Sequence, residues 1–139
     1  MTQRVLLLSI KPEFAEMIFT GLKRAELRRI RPRLSEGDRV LVYVTAPVKA
    51  LVGIMLVERI VSGAPSILWS LVKDSSGLTK SQFKQYYAGA AMGYAILLAS
   101  VARLERPIGL ETLRMVWSDF HPPQSYAYVS AGQLERIGV

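Results

Sequence analysis

Apolar runs typical of buried strands alternate along this chain with short segments of helical spacing. Residues 4–10 form an almost continuous apolar run, which indicates a buried strand. A helix is predicted to follow, because Pro12 suits a first helical turn and Gly21 suits the position after the last one. Further strands are predicted at residues 24–30, 39–44, 50–61, 93–104 and 125–129. Short helices are predicted at residues 65–72, 79–87, 110–117 and, as a terminal turn, 131–137.

These elements are mixed without a regular strand–helix–strand rhythm. This favours an α+β or small-barrel architecture over a doubly wound parallel sheet. The chain has 139 residues, half of them hydrophobic, so a single domain spanning residues 1–139 is expected. Residues 4–10 are expected to form its central strand, with Ala25 and Leu27 facing the core.

Some residues predict details of this architecture. Gly53 interrupts an apolar strand, which indicates a bulge or a close backbone approach. Pro107 is expected to end the strand that precedes it. Leu68, Trp69 and Leu71 are expected in the core.

The composition is basic. Lys and Arg total 18 against 11 Asp and Glu, for a formal charge of +7. This charge favours polyanionic partners, with RNA, DNA or nucleotides ahead of an anionic membrane. The chain has no cysteine, which excludes disulfides, thiolate zinc sites and cysteine nucleophiles. Its one histidine, His121, excludes a histidine-rich metal site. Neither a metal nor another cofactor is predicted.

Two apolar stretches could be mistaken for targeting or membrane segments. The run at residues 88–101 is shorter than the roughly 20 residues that a membrane helix needs. The N-terminal run is too short for a signal-peptide core, and no small-residue cleavage site follows it. A cytoplasmic protein without a membrane partner is therefore expected.

The densest charge lies at residues 23–33, where six of eleven residues are basic and one is acidic. In a strand that turns Ala25 and Leu27 inward, Glu26 and Arg28 share the opposite face. An ion pair between them would orient the guanidinium fork towards a phosphate or a base edge. A turn at Gly21 would bring Lys23 to the same cleft. The other interpretation is a solvated edge strand whose charges prevent aggregation.

Other residues are candidates for the same surface. Lys11 opens the first helix, whose N-terminus favours anions. Tyr43 ends the third strand and could stack on a base, although a tyrosine in a strand is also ordinary packing. Arg29 and Arg31 extend the basic surface, and Ser125 is placed at the rim of the cleft.

Five segments of the chain together resemble the ASCH domain family. These segments are residues 8–12, 21–28, 42–43, 51–53 and 122–126, and the Gly-x-Lys-x-x-Glu-x-Arg stretch within 21–28 is the most specific. The resemblance implies a PUA-like fold, a small mixed β-barrel surrounded by short helices, with a cleft beside the strand that carries Lys23, Glu26 and Arg28. It also implies RNA binding, RNA processing or modified-nucleoside chemistry.

One branch of the family acts as amidohydrolases on N4-acetylcytidine and is similar in its Gly-x-Lys-x-x-Thr motif. Lys23 matches the lysine of this motif, but Glu26 stands where the motif has threonine. The hydroxyl group is therefore missing here, and a Lys23–Glu26 acid–base pair is the chemistry that this chain offers in its place.

Two functions remain open. The first is a nucleic-acid-binding domain that recognises RNA or a modified nucleotide in the basic cleft, with DNA less favoured because no helix-turn-helix pattern is present. Its binding residues would be Lys11, Lys23, Arg28, Arg29, Arg31, Tyr43 and Ser125. The second is a hydrolase of RNA or of a modified nucleoside, in which Lys23 and Glu26 are catalytic. The sequence does not indicate an oligomeric state.

Overall fold

The computed structural model describes residues 4–139, which form six strands and five helices. The strands are β1 (Val5–Ile10), β2 (Ala25–Arg28), β3 (Arg39–Val44), β4 (Ala50–Gly63), β5 (Gly93–Gly109) and β6 (Tyr126–Tyr128). The helices are α1 (Pro12–Phe19), α2 (Pro65–Val72), α3 (Lys80–Tyr86), α4 (Leu110–Val116) and α5 (Ala131–Ile137). None of the helices within residues 4–139 has the length and apolar character needed to cross a membrane.

The strands form one sheet in the order β2-β5-β4-β3-β1-β6. β1 runs parallel to β3, and the other neighbouring pairs are antiparallel. The prediction that β1 is the central strand is wrong, because only the short β6 separates it from the edge of the sheet.

Helices cover both faces of the sheet around β1 and β3, which explains their uninterrupted apolar runs. On one face, Leu8 and Val42 belong to a buried cluster with Ile18 of α1. On the other face, Leu7 is buried with Leu113 of α4. Every residue of β1 except Ser9 is therefore buried, although the strand lies next to an edge strand.

A third apolar cluster joins α2 and α3 to β2 and to the beginning of β5. Ala25 and Leu27 are buried in this cluster, which confirms the inward face predicted for β2. Leu71 is exposed, so its prediction as a core residue is wrong. The reason is that Leu68 and Val72, one helical turn apart, form the buried face of α2.

The close approach predicted at Gly53 is confirmed. A Cβ atom at this position would lie 2.4 Å from Cζ of Phe19 and 2.6 Å from the carbonyl oxygen of Ala102. Only a residue without a side chain lets the ring of Phe19 pack this closely against β4.

Pro107 does not end its strand as predicted. The ladder pairs Leu51 with Ile108 and Gly53 with Arg103, so β5 has extra residues opposite β4 at this point. Pro107 lies in the resulting bulge, where the missing N–H of proline costs no ladder hydrogen bond.

The sheet curls so that its two edge strands approach each other. Nη2 of Arg28, the last residue of β2, donates a hydrogen bond to Oγ of Ser125, which directly precedes β6. The backbone N–H of Arg33 also donates to the hydroxyl of Tyr128, at 2.9 Å. The candidate site lies where these two edges meet.

Candidate functional site

Lys23 reaches the site because a turn follows α1. Gly21 has a φ of +86°, the left-handed conformation that glycine adopts readily at helix ends. The backbone N–H of Lys23 then donates to the carbonyl of Met17, at 3.0 Å. The side chain is only 4% exposed, and Nζ donates to the carbonyl oxygen of Ser76 at 2.6 Å. This amine has three donors, and Ser76 occupies one of them.

Burial changes the acid–base behaviour of Lys23. Loss of hydration lowers the pKa of Lys23 below its ordinary value, and the nearby Glu26 carboxylate offsets part of this effect by raising it. The neutral amine is therefore more accessible at Lys23 than at a solvated lysine.

Glu26 and Arg28 share one face of β2, as the alternation predicts. Their side chains are 12% and 13% exposed, and Nη1 of Arg28 lies 3.7 Å from Oε1 of Glu26. The other carboxylate oxygen of Glu26, Oε2, is buried and has no hydrogen-bond partner within residues 4–139. An unpaired buried acceptor costs roughly 1–3 kcal/mol, so this oxygen is a position where a bound hydrogen-bond donor would be stabilised.

A pocket of about 590 Å³ brings Lys23 and Glu26 together. We call it the Lys23 pocket; its lining residues are Ser9, Ile10, Lys11, Phe14, Lys23, Glu26, Leu27, Leu78, Gln82, Gln85 and Tyr86. Its volume falls within the range of small-molecule sites. It combines apolar walls with a few polar groups, the composition expected of a specific ligand site.

A second pocket of about 630 Å³ lies beside the first. We call it the Tyr126 pocket; its lining residues are Arg28, Arg29, Ile30, Ala90, Ala91, Met92, Tyr94, Ser125 and Tyr126. The predicted single cleft is therefore divided. Lys11, Lys23 and Glu26 line the first pocket, whereas Arg28 and Ser125 line the second.

The remaining predicted residues have different environments. Arg29 lines the Tyr126 pocket, and its Nη1 donates to the carbonyls of Tyr86 and Ala88, at 2.7 and 3.2 Å. Arg31 is exposed and lines neither pocket. His121 is also exposed.

The prediction that Tyr43 stacks on a base is wrong. Its side chain is 2% exposed, and its ring packs edge-on against Phe120, with centroids 6.5 Å apart. Both faces of β3 are covered by other parts of the chain, so the ring of Tyr43 is part of the core beneath α4 and α5.

The sequence did not identify the contribution of α3 to the site. Gln82, Gln85 and Tyr86 line the Lys23 pocket from this helix. Their spacing of three and four residues places them on one helical face, and this spacing is the signal that could have revealed them. The hydroxyl of Tyr86 also donates to the carbonyl of Leu27, at 3.0 Å, and fixes the helix against the edge of β2.

Within residues 4–139, no three histidine, aspartate or glutamate side chains are grouped in a way that could hold a metal ion.

Residues 8–108 match the ASCH domain. The chain belongs to the ASCH family. Over 130 residues it is 33% identical to an ASCH domain-containing ribonuclease of Zymomonas mobilis, covering 94% of this chain and 87% of the relative.

Solved structures agree with this membership. The crystal structure of the ASCH protein of Zymomonas mobilis superposes with a TM-score of 0.90 at 32% identity, covering 96% of this chain and 93% of the other. The N-terminal domain of McrB from Staphylothermus marinus shares the fold at a TM-score of 0.60 and 12% identity, over 99% and 97% of the two chains. The predicted α+β, PUA-like fold is confirmed.

Proposed function

We propose that this ASCH protein binds RNA and holds one nucleotide in the Lys23 pocket. One observation carries the proposal: the buried amine of Lys23 and the carboxylate of Glu26 line the same pocket, and the buried Oε2 of Glu26 has no hydrogen-bond partner within residues 4–139. The pair offers one hydrogen-bond donor and one acceptor in a pocket that also has apolar and aromatic walls.

A nucleobase complements these groups. Every base presents both donors and acceptors on its edges, and proteins read flipped or unstacked bases through these edges and through stacking. Nζ of Lys23 would donate to a base carbonyl or ring nitrogen, and Glu26 would accept from an exocyclic amine or a ring N–H. The side chains of Phe14 and Tyr86 supply aromatic walls.

The charge of the protein supports a polyanionic ligand. The net charge of +7 attracts a phosphate backbone, and Arg28 lies beside the pocket. The ribonuclease name of the Zymomonas mobilis relative favours RNA over DNA.

Binding titrations with short RNAs of mixed sequence test the proposal. The variant Lys23→Met removes the buried donor and should weaken binding by roughly 10- to 100-fold, because hydrogen bonds to charged groups contribute about 1.5–3 kcal/mol. Lys73→Met is the matched control, since Lys73 is exposed at the end of α2. Equal affinities of the two variants, or tighter binding of DNA of the same sequence, would refute it.

RNA cleavage is a second candidate, favoured by the lowered pKa of Lys23 next to a carboxylate. The reaction that these groups could serve is attack by the ribose 2′-oxygen on the adjacent phosphorus. Glu26 would accept the 2′ proton, the bond to the 5′-oxygen would break, and protonated Lys23 would give a proton to that oxygen, leaving a 2′,3′-cyclic phosphate and a 5′-hydroxyl. Protonated Lys23 would stabilise the negative charge of the intermediate.

The variant Glu26→Gln separates binding from cleavage. It keeps the shape of the side chain but removes the proton acceptor, so a catalyst should lose about 100-fold or more in turnover while RNA affinity is largely retained. Glu58→Gln, at an exposed position of β4, is the control. Including N4-acetylcytidine as a substrate tests the nucleoside alternative, because its turnover in place of RNA would assign the pocket to amide hydrolysis.

A further inference from the structure

We propose that the Tyr126 pocket binds the nucleotide adjacent to the one in the Lys23 pocket, with Arg28 on the phosphate between them. The inference rests on the proposed RNA binding and extends it from one nucleotide to two consecutive nucleotides.

Strand β2 connects the two pockets. Glu26 lines the first pocket and Arg28 lines the second. Two residues of an extended strand span about 7 Å, a length comparable to one nucleotide of an extended RNA strand. The spacing of neighbouring side chains on this face therefore matches the repeat of the ligand.

Arg28, which lies two residues after Glu26 on β2, is held in a fixed position by its contacts. Its guanidinium lies 3.7 Å from Oε1 of Glu26, donates to Oγ of Ser125, and is 5.8 Å from the centre of the Tyr126 ring. A guanidinium has five N–H donors in a planar fork, so these contacts leave donors for a phosphate. Preorganisation of this kind lowers the entropy lost when the phosphate binds.

The Tyr126 pocket has the charge and the surfaces that a nucleotide requires. None of its lining residues is acidic, and Arg29 supplies a second cation that backbone carbonyls hold in place. Tyr94 lies opposite Arg28 in the antiparallel register, and the exposed Met92 faces the same space. Aromatic rings and a polarisable thioether are sequence-tolerant partners for a base.

A peptide strand added to the edge of β2 fits less well. The hydroxyl of Tyr86 already donates to the carbonyl of Leu27, at 3.0 Å, and the hydroxyl of Tyr87 is shared between the carbonyls of Tyr94 and Arg28, at 3.0 and 3.2 Å. Strand addition needs these backbone groups to be free. The cavity beside the edge, rather than the edge itself, is what remains for a ligand.

The test compares ligands that differ by one nucleoside. For each of the four bases, the affinities of the nucleoside 3′- and 5′-monophosphates are compared with that of the homodinucleoside monophosphate, all with 2′-O-methyl ribose to prevent cleavage. The dinucleotide carries less phosphate charge, so tighter binding reports contacts with the second nucleoside. We expect a gain of roughly 5- to 100-fold from one stacked base.

Substitutions test whether the gain in affinity of the dinucleotide comes from the Tyr126 pocket. Met92→Glu and Ile30→Glu place a negative charge at exposed positions of the Tyr126 pocket and should reduce the gain at least several-fold. Met115→Glu changes the net charge equally at a position that lines neither pocket and should keep it.

Two results would overturn the inference. One is the absence of a gain for all four bases, and the other is an equal effect of the charge at Met92, Ile30 and Met115. If the monophosphates still bind and Lys23→Met abolishes that binding, the proposed function stands and the second subsite alone is refuted. If no RNA of any length binds, both are refuted.

Discussion

Replacing Lys23 by methionine should remove a pH dependence from the stability of this protein. Burial lowers the pKa of Lys23 from its ordinary value of 10.5, and Glu26 only partly offsets this effect. The unfolded chain, in which the lysine is hydrated, therefore binds the proton more tightly than the folded protein does. Stability and protonation are linked through this difference.

The sign of the effect follows from the direction of the shift. Between the lowered pKa of Lys23 in the folded protein and 10.5, only the unfolded state holds the proton. The free energy of unfolding therefore rises with pH in this window and is constant, as far as Lys23 is concerned, outside it. Each pKa unit of lowering corresponds to about 1.4 kcal/mol.

Three tyrosines act in the opposite sense at higher pH. Burial raises the pKa of Tyr43, Tyr86 and Tyr87, so the stability that their neutral forms contribute is lost as the pH rises above about 10. The wild type and the Lys23→Met variant both contain these tyrosines. The difference between the unfolding free energies of the two proteins therefore isolates the contribution of Lys23.

Urea unfolding from pH 7 to pH 10 measures this difference. Methionine also leaves the carbonyl of Ser76 without its donor, which costs about 1–3 kcal/mol at every pH. The readout is therefore the slope with pH and not the stability at one pH. Lys73→Met, at an exposed position, should follow the wild type. Parallel curves for the wild type and Lys23→Met would refute the lowered pKa.

The salt dependence of RNA binding and the packing at Gly53 provide further tests. Salt titrations of RNA binding should show a log–log slope of roughly −0.7 per neutralised phosphate. Replacing Arg28, Arg29 and Arg31 together by alanine should flatten that slope by up to about 2 units, and an unchanged slope would exclude this surface. Gly53→Ala should destabilise the protein by about 1–3 kcal/mol through overpacking in chemical unfolding. Gly109→Ala, where an added Cβ meets nothing within 4 Å, should have a much smaller effect.

Local patterns predicted those parts of the site that depend on one element. The alternation of β2 places Ala25 and Leu27 in the core and Glu26 and Arg28 on the other face, and the structure has this arrangement. The turn at Gly21 likewise depends only on neighbouring residues. Such features follow from strand periodicity and from the conformational freedom of glycine.

Features that depend on contacts distant in sequence were not predictable. Arg28 and Ser125 are 97 residues apart, and their contact arises from the curl of the whole sheet. Both residues line the Tyr126 pocket, whereas the sequence indicated one cleft shared with Lys23 and Glu26. The burial of Tyr43 is hard to predict for a related reason: the apolar run of β3 indicates burial on both faces, but a tyrosine near the end of a strand can also project into a cleft.

The charges of the Lys23 pocket fit the proposed role in ligand binding better than a structural role. Burying an amine whose pKa falls, and a carboxylate oxygen without a partner, lowers the stability of the folded protein. Apolar side chains of similar size would pack there without that cost. The stability that tolerates these charges comes from the three apolar clusters on the two faces of the sheet. Within residues 4–139, Oε2 of Glu26 has no donor, and Lys23 donates a hydrogen bond to the carbonyl of Ser76. In the proposed function, the edge of a nucleobase supplies the missing partners.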